Sequence, residues 1–557
     1  MILRAENLTN SKPMRFAVNY LILQGTFFRR HPLPGDFLKQ GFLVGTMLLL
    51  FRLLWVGLQN ACYLPESAYR ESSFLVAFFT GSLPGSLLLA TILTAFLLRK
   101  RLRLAETWQE LDSNGTTGIL MRVLVGLLAW FSAAYGFNAL FGHWHWGERL
   151  LALLLAVLCL RKPAAVLPLT VLVFLIAGQF RYPFGMGYER PILDLLTGGL
   201  VLFSVFFLLS RFSRAWQPRH FLFAFGCLVA THYWVPGWEK LTMGWWPRAQ
   251  IHFILPAAYT HGWLAFLGSG EVAAFSSFLA PLDRLMATAT LLLECGSLLL
   301  FVHKKLTALF LGGWIFFHLG VFTMTGFLFW TWMLVDALLL FLFFRRGHTA
   351  GKELWQPALA LLAIPVIGLG QWWAAPAKLA WLDTRLSYAY RLQATDYQGN
   401  LYDLPPGIFG PYYDLMTFSN FRFLCPRRQL VGPYGATRSE DIANGLFGSR
   451  QDSAVFGMEP PPGRDSMERT QKCRRFFDLV LRFAGREAQG GGPTLLKWLQ
   501  PPRHFLSFSR YSALPAGTAI KNITITRVTG FFDDLAYREI RHTPIARLTL
   551  ADNLDAP

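Results

Sequence analysis

The sequence predicts a polytopic α-helical membrane protein of about eleven transmembrane helices, followed by a C-terminal extracytoplasmic domain of α/β or β-rich character. Three observations predict it. Of 557 residues, 53% are hydrophobic and only 15% charged, where a soluble chain carries about a quarter charged; mean hydropathy is +0.36. Long uncharged runs recur as far as Ala375. Short basic clusters separate those runs at intervals that suit alternating crossings. Disorder, coiled coil and a secreted disulfide scaffold are thereby excluded.

The elements follow in order. A spanning helix needs about 20 apolar residues, and eleven stretches qualify: 39–58, 73–98, 118–140, 147–160, 163–180, 192–210, 220–238, 283–302, 306–324, 326–344 and 355–375. The fourth is short and reads as tilted or re-entrant. Residues 250–281 are apolar but broken by Pro256, Gly262, Gly268, Gly270 and Pro281, so they read as an interfacial or re-entrant segment. The chain divides into a cytoplasmic segment (1–38), a transmembrane domain (39–375) and the extracytoplasmic domain (376–557). The first segment has no h-region ending at a cleavage site, so no signal peptide is expected to be removed.

Charge sets the orientation. Arg4, Lys12, Arg15, Arg29, Arg30 and Lys39 precede the first span. Basic clusters then follow every even-numbered span: Arg99 to Arg103, Arg161–Lys162, Arg211 to Arg219, Lys304–Lys305 and Arg345 to Lys352. The positive-inside rule puts those ends and the N-terminus in the cytoplasm of an inner or plasma membrane, and the tail outside. The tail from Pro376 holds 23 basic and 17 acidic residues, so most of the net +19 lies in the membrane part. Cytoplasmic loops explain that excess, and no nucleic-acid partner is expected. The lipid bilayer is the expected surrounding partner.

The tail reads as turn clusters, a helical pattern around Cys473–Gly485, and β-like runs over Ile520–Val528, Ala536–Ile540 and Ile545–Leu550. Alternation of Ile523, Ile525 and Val528 with polar residues suggests a half-exposed sheet. Gly432–Pro462 is the most loop-like stretch. Cys425 and Cys473 are the tail's only cysteines; in an oxidising compartment they are expected to form a disulfide.

Ionisable groups within a bilayer are costly and mark candidate sites. His232, Glu294, His318 and Asp336 fall inside expected spans, and Lys240 stands just beyond the outer end of the seventh. Lys240 either lines an apolar pocket or snorkels to the interface. The carboxylates and His318 are either site groups or helix-locking hydrogen-bond partners. By depth, Glu294 should lie about 16 Å below Lys240, so a shared pocket is expected rather than direct contact. Glu239 would compensate the charge of Lys240 unless its side chain points away. His143 and His145 are two apart, hence on different faces of a helix, and neither H-E-x-x-H nor C-x-x-C occurs; no metal site is expected. The chain also lacks a P-loop and a dinucleotide fingerprint. Intramembrane charges do not recur in two halves, which argues against a transporter.

The run Tyr233-Trp-Val-Pro-Gly-Trp-Glu-Lys-Leu241 with Trp245-Trp246 following resembles the hallmark of HTTM-domain membrane proteins, the family that includes the vitamin K-dependent γ-carboxylases. Glu294 midway along a span, His318-Leu-Gly in the next and the aromatic run Phe327–Met333 agree in order, and His145 resembles the carboxylase histidine at a comparable place. The resemblance implies that Lys240 is the base towards a reduced quinone (vitamin K-like), that His145, His318 and Glu294 complete the catalytic set, and that Tyr233, Trp238 and Trp245 line the cofactor pocket. It implies γ-carboxylase-like, quinol-coupled modification of a secreted peptide or protein at the outer leaflet. The competing expectations are a maturation or export factor for a secreted peptide that uses no quinone, and a structural or assembly subunit of a membrane complex.

Overall fold

The computed structural model describes residues 36–113, 115–134, 143–182, 190–345, 353–404, 429–446, 471, 475–476, 479, 498–502, 504–509 and 518–549. Cys425 and Cys473 lie outside the described residues, as do most of the helical pattern at 473–485 and of the loop-like stretch beyond 446.

Each of the eleven apolar stretches contains helix among the described residues, although the second is broken at Ser82 and the tenth begins its helix only at Trp330. The helices are α1 (Phe37–Cys62), α2 (Phe74–Gly81), α3 (Leu83–Leu97), α4 (Thr116–Ala134), α5 (Trp146–Cys159), α6 (Val166–Gly178), α7 (Arg190–Phe212) and α8 (Pro218–Thr242). After them come α9 (Ile254–Thr260), α10 (Ser269–Leu279), α11 (Asp283–Cys295), α12 (Lys304–Thr325), α13 (Trp330–Phe344) and α14 (Pro357–Gly368). Among the described residues, five stretches are long and apolar enough to cross a membrane: Phe37–Cys62, Thr116–Ala134, Pro163–Arg181, Ile192–Phe212 and Lys304–Thr325. Phe74–Gly81 and Leu83–Thr91 make a sixth if read as one span bent by 92°. Ile251–Thr260, Trp330–Phe344 and Pro357–Gly368 are apolar but shorter.

The bend between α2 and α3 follows from sequence. Ser82 is extended, and its hydroxyl donates to Phe78 O at 2.8 Å while accepting from Gly85 N at 3.0 Å. A Cβ at Gly85 would stand 2.0 Å from Phe78 O, so only glycine tolerates this approach.

The bundle has a buried hydrophobic core and, in addition, an apolar exterior. In α5 the buried residues are Glu148, Arg149, Ala152 and Cys159, while Leu150, Leu153, Leu154, Val157 and Leu158 are exposed. Exposed leucine and phenylalanine on α1, α10, α11 and α12 extend the same surface. An apolar exterior of this extent is what a lipid solvent covers. At the centre, α8 is buried along most of its length and packs on α7, α11 and α14.

The tail contributes one antiparallel sheet of order β2-β1-β3-β4, with β1 Leu386–Asp396, β2 Leu401–Asp403, β3 Ile520–Phe532 and β4 Tyr537–Thr549. Leu386 pairs with Phe531 and Leu392 with Ile525. The two last β-like runs are one strand, irregular where Ile525/Thr526 and Thr529/Gly530 shift register. The sheet docks on the broken 250–281 segment: Phe532 meets Phe253 edge-on at 5.9 Å, and Tyr537 meets Tyr259 at 6.1 Å. Further along the tail, Leu499 O accepts from Trp130 and Pro502 O from Trp330.

Candidate functional site

The site is built on one face of α8. Tyr233, Gly237 and Lys240 recur at spacings of four and three, which align on a helix. Gly237 determines how closely the next helix approaches. A Cβ there would lie 2.7 Å from Glu294 Cβ and 2.9 Å from Cys295 Sγ of α11. One turn on, Lys240 Nζ donates to Glu294 Oε1 at 2.5 Å. Lys240 is 9% exposed and Glu294 4%. Trp245, itself buried, stands with its ring centroid 5.5 Å from Nζ, a cation–π contact. The direct ion pair corrects the expectation that depth would keep these residues apart: the close α8–α11 packing lets the lysine stem reach down to the carboxylate.

Glu239 points the other way. Its carboxylate faces Lys378 at 3.4 Å and Arg438 at 3.7 Å, both from the tail. Neighbouring glutamate and lysine thus serve different faces, one tying α8 to the tail and one facing the bundle.

Two turns before Lys240, about 10 Å along the axis, Tyr233 stacks on Trp314 with centroids 4.0 Å apart and planes at 7°. Its hydroxyl donates to Asp336 Oδ2 at 2.7 Å and meets His318 Nε2 at 3.0 Å. A phenol has one proton. With that proton given to Asp336, the Tyr233 oxygen accepts from Nε2–H of His318, leaving Nδ1 as a lone-pair acceptor. Three buried acceptors then have no hydrogen-bond partner among the described residues: His318 Nδ1, Asp336 Oδ1 and Glu294 Oε2.

The other expected residues fall elsewhere. Trp238 is 52% exposed and stacks on Trp234, away from Lys240. His145 is buried in the left-handed conformation (φ 47°) at the start of α5. Its Nε2 lies 2.8 Å from Glu71 O, and its ring meets Phe74 edge-on. Glu148 next to it accepts from Ser73 Oγ at 2.6 Å. Among the described residues, no hydrogen-bond, ion-pair or ring partner of His145 is Lys240, Glu294 or His318; the structure does not bring it to them. His143 is exposed.

A second polar cluster lies between the bundle and the tail. His252 Nδ1 is 2.5 Å from Asp283 Oδ2, and its backbone N–H donates to Oδ1 at 3.0 Å. Asp383, buried at the start of the tail, accepts from Trp381 Nε1 at 3.1 Å. Burial pushes the Asp383 carboxyl up to about 8, the Trp381 bond and Lys240 opposing this and Asp283 adding to it. Sequence spacing carries no signal for this grouping, since His252, Asp283 and Asp383 come from three separate segments. No group of three or more metal-ligating side chains occurs among the described residues.

Fold and site together define a mostly helical chain with, among the described residues, five or six candidate membrane-spanning helices and a small antiparallel sheet near the C-terminus. Comparison with family models, with curated proteins and with solved structures finds no match.

Proposed function

We propose that this chain is an HTTM-type, vitamin K-dependent carboxylase-like integral membrane protein of about eleven spans, with its N-terminus in the cytoplasm and its tail outside. It would carry out quinol-coupled modification of an exported peptide at the outer leaflet. The observation that carries this reading is the buried Lys240–Glu294 pair under Trp245, on the same helix face as the Tyr233–Asp336–His318 cluster.

The donor set fits a reduced quinone. A quinol presents two hydroxyl donors, and His318 Nδ1, Asp336 Oδ1 and Glu294 Oε2 are buried acceptors lacking donors among the described residues; Tyr233, Trp314 and Trp245 supply flat apolar surface beside them. Bound there, the quinol would supply reducing equivalents for an oxygen-dependent reaction. Lys240 and Glu294 would hold and move a proton between Nζ and the carboxylate, and the apolar walls would exclude water. An ionised Lys240 is no base, so Glu294 must take its proton before Lys240 can act as one.

Orientation rests on which ends meet. Trp130, Glu239 and Trp330 contact the tail. At another set of helix ends, Arg211 pairs with Glu106, Lys162 Nζ donates to Ala105 O, and Arg219 lies 3.9 Å from Glu353. That grouping of basic loops supports a cytoplasmic face opposite the tail.

The test supplies purified full-length protein in nanodiscs with reduced vitamin K, oxygen, labelled bicarbonate and a glutamate-rich peptide. Label in the peptide that disappears in Lys240→Ala and Lys240→Arg is the expected result. Absence of label with folded wild-type protein would hand the function to the maturation or assembly reading.

A further inference from the structure

A groove of about 380 Å³ runs along the outer surface of the bundle between α4 and α5, remote in chain position from the Lys240 cluster. Gly126, Ala129 and Ala133 of α4 line it with Ala156 of α5, and among the described residues its only charged lining residue is Arg122. At the far end Leu499 of the tail crosses it, held by Trp130 Nε1 to Leu499 O at 2.6 Å.

Two features point to an occupant. Arg122 lies six residues into an apolar helix, about 9 Å from its start, and is exposed. Its Nε donates to Leu160 O at 3.1 Å, which leaves both terminal amino groups directed at no carboxylate among the described residues. A guanidinium at this depth is stabilised by polar or anionic partners, and phosphate matches the fork geometry of the two amino groups that the Leu160 bond leaves over. The exposed Arg161 follows Leu160 directly, so the groove opens at a basic end of the bundle. The second feature is length. From Arg122 to Ala134 is about 18 Å at 1.5 Å per residue, close to the depth of one leaflet, half of a roughly 30 Å core. Leu499 closes the groove there, so it is too short for a partner helix crossing the whole membrane.

We infer that this groove holds one acyl chain of an anionic phospholipid whose phosphate sits on Arg122. The small residues admit the chain, and the basic end selects the headgroup, as basic pockets between membrane helices do. The site rests on the membrane reading alone and is independent of the proposed chemistry.

The experiment is native mass spectrometry of the full-length chain in detergent, titrated with dioleoylphosphatidylglycerol or dioleoylphosphatidylcholine. A single saturable phosphatidylglycerol adduct, at least about tenfold tighter than phosphatidylcholine, is expected; tenfold corresponds to about 1.4 kcal/mol. Gly126→Leu should remove the adduct without unfolding the chain, because a Cβ at Gly126 meets nothing within 4 Å. Arg122→Gln should bring phosphatidylglycerol down to the phosphatidylcholine level. Equal affinity for the two lipids, or an undiminished adduct in Gly126→Leu, would overturn the site. So would a wild-type dimer that Gly126→Leu dissolves, since the groove would then belong to a second copy.

Discussion

Lys240 and Glu294 are each buried, and each is the other's charge partner. Removing one member of such a pair leaves a charge in a poor solvent and costs about 3–5 kcal/mol, whereas replacing both with apolar residues is often neutral. Lys240→Ala is therefore expected to lower the unfolding temperature in detergent, and Lys240→Met with Glu294→Met to restore most of it. Equal losses in the single and double variants would show that the pair does not stabilise the fold. Asp383 gives a pH signature of opposite character. Its folded-state value near 8 exceeds the ordinary value of about 3.9, so the folded chain keeps a proton that the unfolded chain releases. The stabilisation is complete below about pH 4 and is lost as pH rises to about 8, with a slope on the order of 1.4 kcal/mol per pH unit. Asp383→Asn should flatten the fall in unfolding temperature between pH 5 and 8 and be more stable than wild type at pH 8. An unchanged slope would remove Asp383 from that role.

At the scale of elements, the contact between α8 and α11 decides whether the site exists. Gly237 is the point of closest approach, and an added methyl group would strike Glu294 Cβ and Cys295 Sγ. Gly237→Ala is expected to push the helices apart at a cost of about 1–3 kcal/mol and to weaken the Lys240–Glu294 pair. A double-mutant cycle with Glu294→Gln reads this as a reduced coupling energy; full coupling in Gly237→Ala would show that the backbone approach is dispensable. Pro236 precedes that glycine inside the helix and removes one backbone donor. The hallmark run is thus legible as local geometry: proline and glycine shape the contact, and lysine and tryptophan occupy it.

For the whole molecule, the tail is a clamp on one face of the bundle. It reaches α8 through Glu239, α4 through Trp130, α13 through Trp330 and the 250–281 segment through Phe532. If that face is outside, an alkaline phosphatase fused after Pro557 should be active and one inserted near Lys100 inactive. The reverse pattern would invert the proposed topology and remove the outer-leaflet reading with it.

Composition and hydrophobic runs were enough to place helix in each expected stretch and to mark 250–281 as broken, because burying backbone polar groups in an apolar environment leaves little choice but helix; among the described residues five or six of those stretches are long and apolar enough to span. Strand β3 was legible from alternating branched residues, and β4 as two separate β-like runs that the structure joins into one strand. Strand β1 was not: its Tyr388-Ala-Tyr390-Arg391 register shows its meaning only against Thr526 to Thr529 of β3, more than a hundred residues away. The same limit applies to the site. Lys240, Glu294, His318 and Asp336 could each be picked out as an ionisable residue in apolar surroundings, a property of the local sequence, whereas Tyr233 entered only through the resemblance of its motif. That Lys240 pairs with Glu294 while His318 and Asp336 share Tyr233, that Trp238 faces outward and His145 stands at the start of a different helix bonded to Glu71 O, was decided by helix rotation and packing. Those depend on side-chain volumes at every contact in the bundle, and no single segment encodes them.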